Sequence, residues 1–258
     1  MRSRTLGNIG PVIGRLGRHS LRQPAIAYIL PTAMPLGLVV FISQLYGAMA
    51  TRPGYPSDDL LDWMGPGMVF LAATMGGGFT GTLLVIDAQT GLLDRLRLLP
   101  LSGRSIVVAC LVFEGLRIVP VSIILLTAAG LLGLSLPGPA GLALVLVLAA
   151  VWAAAWNSMF LVAALRTQNA QLPLVLLPLF LPCFLGSTIM VPEPLLPDYV
   201  QALIAWNPLD RFVVAVRPLF DDAALVGSDV AIAMGAATVV IALLGALADR
   251  QIARLTHP

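Results

Sequence analysis

Residues 89–105 read QTGLLDRLRLLPLSGRS, a charged, leucine-bearing stretch wedged between two long apolar runs. Leu92, Leu93, Leu96 and Leu99 fall at i, i+1, i+4 and i+7, one face of a helix, while Asp94, Arg95 and Arg97 cover the other. Pro100 stops that helix, and Ser102-Gly103 lets the chain turn back. A helix this short is not stable alone in water, so its apolar face calls for a partner; a solvated loop whose leucines rest on the lipid surface is the alternative. On both sides of it the chain is lipid-soluble. Hydrophobic residues make up 58% of the 258 and charged residues only 11%, with a mean hydropathy of +0.92; a soluble domain carries about 25% charged residues. Apolar runs close to the roughly 20 residues that cross a bilayer lie at 25–47, 65–86, 107–134, 142–165, 172–191 and 230–248. The expectation is an all-α membrane protein with six transmembrane helices in a single domain, 1–258.

Arginine placement orients it. Arg2, Arg4, Arg15, Arg18 and Arg22 precede the first run, which follows a stretch without a signal peptide's short apolar core and cleavage site. Arg95, Arg97, Arg104, Arg117, Arg166, Arg250 and Arg254 fall on the same side of a six-span path, against Arg52, Arg211 and Arg217 on the other. By the positive-inside rule both termini face the cytoplasm, which places the chain in the plasma (inner) membrane. Residues 1–24 mix Leu6, Ile9, Ile13, Leu16 and Leu21 with arginines, a pattern for an interfacial helix whose arginines stay wet; a basic tail that only sets topology is the alternative.

The stretch 192–229 is expected outside. Pro197 can start a helix, Asn207-Pro208 breaks the run, and 209–220 resumes it with Phe212, Val213, Val216, Leu219 and Phe220 apolar on one side. Two short helices joined at a corner follow, too short to cross; they re-enter the membrane or lie on it. Within the spans, Glu114 and Arg117 sit three apart and can neutralise each other, with Arg117 reaching to the inner interface; a functional role, the default for ionisable groups in a membrane, and a purely structural pair both stand open. Gly77 and Gly81 give span two a small-residue face for close helix contact, as against a flexible gate. Pro173, Pro178 and Pro182 bend span five.

Other function classes find little support. A net charge of +2 is too small to argue for nucleic acid. No G-x-x-x-x-G-K-[ST] loop is present to cradle nucleotide phosphates. His19 and His257 lie far from any acid cluster, and no metal set or nucleophile–base pair is evident. Cys110 and Cys183 read as packing residues. The chain is not expected to be an enzyme.

The entry RQPAIAYILPTAMPL at 22–36, TGLLDRLRLLPLSGRSIVVACL at 90–111 and AWNPLDRFVVAVRPLF at 205–220 resemble the ABC type 2 permeases over essentially the whole chain, and within them the daunorubicin-resistance branch of drug and lipid exporters. That resemblance implies the ABC type 2 fold, with 89–105 as the coupling helix seated in a groove of an ATPase subunit. Leu93, Asp94, Leu96, Arg97 and Pro100 would make that contact. The family usually has a glutamate near its start, where Gln89 stands here. Pro208, Phe212 and Arg217 would belong to short external re-entrant helices near the exit. The implied assembly has two ATPase subunits, which bind ATP and Mg, and a second permease, identical or similar, in membrane lipid. The route would run between the permeases along spans two and five, past Thr74, Thr80, Thr82, Ser187 and Thr188, a lining that suits a lipid-like or amphipathic drug-like substrate. A polysaccharide exporter of the same fold is one alternative. A non-ABC membrane protein, whether a structural subunit or a proton-driven exporter, is another; the latter calls for acids near the bilayer centre, where only Glu114 comes close.

Overall fold

A computed structural model describes residues 9–51, 53–90, 103–171, 175, 177–221 and 226–256, the side chains of 253–256 excepted. The described chain is helical. Helix α1 spans Ile9–Arg22 and is followed by a π-helical turn, Ala25–Ile29, that leads into α2, Leu30–Tyr46. Next come α3 (Leu60–Met75), α4 (Phe79–Gln89), α5 (Gly103–Leu131) and α6 (Pro139–Thr167). The short α7 (Phe180–Leu185), α8 (Asp198–Ile204) and α9 (Pro208–Phe220) precede the long α10 (Gly227–Thr256).

Five stretches among the described residues are long and apolar enough to cross a membrane: Ala25–Met49, Leu60–Gln89, Gly103–Leu131, Pro139–Thr167 and Gly227–Ile252. The fifth apolar run of the sequence is only partly described. Its described part is a 3-10 turn at Leu177–Leu179, then α7, then turns through Met190. Pro178 and Pro182 each withhold an amide hydrogen there, which shortens any helix.

Span two lies at the centre and buries more of itself than any other described span, while α10 buries least. One core gathers α3, α5, α6 and α9. Phe212 is 1% exposed and lies 5.7 Å from the Phe70 ring and 5.3 Å from Trp152, centroid to centroid. A second core, at the end holding Arg15, Arg104 and Arg250, packs Val12 and Leu16 of α1 against Phe79, Cys110 and Phe113. So α1 rests on α5 rather than lying free. It buries Val12, Leu16 and Ser20 and leaves Leu21 exposed, so the inward-facing set expected from the sequence shifts by part of a turn. Arg15 is not simply wet either, because it pairs with Asp87 near the end of α4.

Candidate functional site

Two polar clusters, one inside the bundle and one at its arginine-poor end, hold together places where helices break. The inner cluster begins with Gly76-Gly77-Gly78, which splits span two. Gly78 has φ of +88°, a left-handed conformation that L side chains rarely adopt, so α3 ends and α4 restarts there. A break in low-dielectric surroundings frees backbone groups that lipid cannot satisfy. Three buried side chains take them. Arg117 donates to the Gly76 carbonyl at 2.7 Å, Glu114 accepts from the Thr80 amide at 2.9 Å, and the Asn157 carbonyl oxygen accepts from the Gly78 amide at 2.7 Å. Glu114 is wholly buried and Arg117 3% exposed. They pair through Nε and Nη2 to Oε2 at 2.9 and 2.7 Å.

Arg117 also serves a second irregularity. Pro31 has no amide hydrogen to give the Ala27 carbonyl four residues earlier in the π-helical entry to α2. Arg117 Nη1 donates to that carbonyl at 2.6 Å. Its guanidinium carbon also lies 5.4 Å from the centroid of Phe79. Here the sequence expectation is corrected: Arg117 does not reach to the interface but points into the bundle. Two broken helices offer it carbonyls, which water at the surface cannot better.

The glycines fit this geometry. A Cβ on Gly77 would stand 3.0 Å from Trp156 and Phe160 atoms, and one on Gly81 would stand 3.3 Å from the Leu161 Cα. Both therefore allow close approach of α6, as the small-residue face suggests, and the break sits beside them. Against the break lies a cavity of about 230 Å³, lined by Met75, Phe79 and Leu83 with Gln23, Thr82 and Gln171 among its polar groups. Thr82 is the one described residue of the expected lining that reaches this cavity. Thr74 is buried, bonded to the Phe70 carbonyl and to Trp152 Nε1, and Thr80 is buried against Glu114.

The outer cluster is built on α9. Pro208 occupies the first helical position, where its fixed φ is pre-organised. Asn207 does more to hold the corner: its carbonyl oxygen caps the Leu209 amide at 3.0 Å, while its amide nitrogen donates to the Cys183 and Gly186 carbonyls. Asp210, 4% exposed, accepts from both the amide and the hydroxyl of Thr188, at 2.6 and 2.7 Å. Arg217 donates to the same hydroxyl at 3.1 Å and to the Thr188 carbonyl at 2.8 Å. Trp63 Nε1 also donates to that carbonyl at 3.0 Å, and its ring lies 3.6 Å beneath the guanidinium. Tyr55 closes the group by donating to the Met190 carbonyl at 2.9 Å. Burial pulls the Arg217 pKa down to about 10, with Asp210, Tyr55 and Asp221 acting in the opposite sense. Burial pushes the Tyr55 phenol up to about 12, and Arg217 opposes it.

Asp221 acts on Arg217 through its field, and the direct partners of the guanidinium are Thr188 and Trp63. Ser187 and Thr188, expected on a route, are both buried and bonded internally. Neither Asp210 nor Trp63 stood out in the sequence, because a first-turn aspartate and an interfacial tryptophan have commoner explanations. Pro208, Phe212 and Arg217 all lie in α9 but face different neighbours: Phe212 enters the core, Arg217 meets Thr188, and Pro208 shapes the turn.

Leu93, Asp94, Leu96, Arg97 and Pro100 lie outside the described residues. The ends that frame them are visible. Gln89 Nε2 donates to the Gln168 carbonyl at 2.9 Å, and Arg104 pairs with Asp249 of α10 at 3.0 Å. Among the described residues, no group of three or more His, Cys, Asp or Glu side chains is placed to hold a metal ion.

A family model described as ABC-2 type transporter matches residues 13–220, most of the chain and all of both clusters. No curated protein matches it significantly.

Proposed function

The chain belongs to the ABC-2 type transporter family, a multi-pass membrane permease, and from that premise we propose that it exports a lipid-like or amphipathic substrate, driven by separate ATPase subunits. In this reading two ATPases bind ATP and Mg, and a second permease, identical or similar, completes the route. Both termini lie in the cytoplasm and the chain sits in the plasma membrane. The observation that carries the reading is the broken second span. Segment 91–102 follows α4 in the sequence, and α4 is an 11-residue helix that starts at the Gly76–Gly78 break beside an apolar cavity. A partner that grips 89–105 through Leu93, Asp94, Leu96, Arg97 and Pro100 would act on α4, a helix separated from α3 by the break and tied there by Asn157, Glu114 and Arg117.

The cavity supports a lipid-like cargo over a sugar chain. Its walls are mostly apolar, with amides of Gln23 and Gln171 near by, and a polysaccharide would leave most of its hydroxyls unpaired there. Leu96→Asp tests the coupling. A charge forced into an apolar contact costs on the order of a few kcal/mol, so the permease should insert normally yet lose its ATPase on purification. Retained ATPase and normal vesicle transport in that variant would sink the coupling assignment. Vesicle uptake against a panel of labelled lipids and amphipathic drugs then identifies the cargo class.

A further inference from the structure

Along the exposed seam of α5, α6 and α10 run two cavities, of about 390 and 430 Å³, that share Val108, Leu111 and Ile241 and so form one groove. Its floor is made by small residues, Gly245 and Ala246 on α10, Gly115 on α5 and Ala150 and Ala154 on α6. From Arg104 to Val119 it follows α5 for about 22 Å at 1.5 Å per residue. That exceeds the roughly 15 Å depth of one leaflet's hydrocarbon, half of a core of about 30 Å. Only the end at Arg104 and Arg250 is charged. Arg104 has 80% of its side chain exposed and pairs with Asp249, and Arg250 is exposed beside it. That end thus carries two arginines and one aspartate, an excess positive charge where a headgroup would lie.

We propose that this groove binds an anionic phospholipid of the arginine-rich leaflet, with one acyl chain along α5 and the phosphate at Arg104 and Arg250. An apolar slot of leaflet length fits a chain, and a small-residue floor admits it without moving the helices. The guanidiniums select charge, since a basic residue at the surface attracts anionic lipid and arginine pairs well with phosphate. This site is separate from the cavity at the helix break.

The test uses the full chain in phosphatidylcholine nanodiscs carrying trace phosphatidylglycerol or phosphatidylcholine with a photoactivatable group on one acyl chain. Labelling of peptides from α5 and α10 should favour phosphatidylglycerol on the order of tenfold. The double variant R104Q/R250Q should erase that preference. Gly245→Leu should reduce labelling by both lipids, because a Cβ there meets only Leu111 and Val107 side-chain atoms at 3.9 Å and the larger side chain fills the slot. If the double variant does not fold, competition by unlabelled phosphatidylglycerol against phosphatidylcholine on the unaltered protein reads the same selectivity. Equal labelling by the two lipids, or a preference that survives R104Q/R250Q, would overturn the site. So would disulfide-linked dimers through Val112→Cys in a background lacking Cys110 and Cys183, since a second copy would then cover the groove.

Discussion

Arg117 has more to lose than any other side chain in the bundle. Its guanidinium joins Glu114 to carbonyls from two different irregular segments. Arg117→Met leaves a buried carboxylate without its cation, and breaking a buried pair in this way costs about 3–5 kcal/mol. The expected outcome is a large fall in the thermal unfolding temperature in detergent, partly recovered by adding Glu114→Gln. Arg117→Lys should recover less than charge alone would suggest, because an ammonium lacks the planar fork that meets three acceptors. At the other cluster, Thr188→Val removes the hydroxyl between Asp210 and Arg217 and leaves Asp210 short of a donor, at a cost of about 1–3 kcal/mol. Limited proteolysis near α9 should report that loss before the global unfolding temperature moves far.

At the scale of elements, the breaks matter more than the helices. Gly78→Ala places a Cβ at a left-handed φ and should cost about 1–2 kcal/mol, measured as a shift in the unfolding midpoint. Asn207→Ala should weaken the corner more than Pro208→Ala, since the cap alone contributes about 1 kcal/mol and the amide also serves two carbonyls. Export and ATP hydrolysis measured side by side in vesicles separate a loosened corner from failed assembly. How much of this was legible follows from the physics. Apolar runs of spanning length and the Asn207-Pro208 break are local signals, so five spans and the start of α9 could be read directly, while the run at 172–191 is only partly described. The split in span two could be read only in part. Three adjacent glycines are compatible with close packing and with a break, and what decides for a break is a set of acceptors and donors on α5 and α6, remote in sequence. The partners of Arg217 were hidden for the same reason: Thr188 and Trp63 lie 29 and 154 residues away.

For the whole molecule, topology is the prediction. Single cysteines at Ser102 and Ser228, in a background without Cys110 and Cys183, should react with a membrane-impermeant reagent from opposite sides. Reaction of both from one side would end the six-span path. The bundle as described is uneven: α3 and α4 are enclosed and α10 is largely unburied by the rest of the chain. Gln89 and Arg104 lie at one end, against Gln168 and Asp249, and α9 packs near the other, against Thr188 and Trp63, so α3 and α4 with their break connect the two.

Arg117 also limits how such a chain can change by mutation. A substitution that healed the glycine break into a continuous helix would occupy the Gly76 carbonyl and strand part of the guanidinium. One that removed Pro31 would offer the Ala27 carbonyl a competing donor. Each irregularity is tolerable because the others exist, so their effects are epistatic. A double-mutant cycle between positions 31 and 117 should give a coupling of about 0.5–3 kcal/mol. Descendants of this sequence are therefore expected to keep these irregularities together or to lose them together.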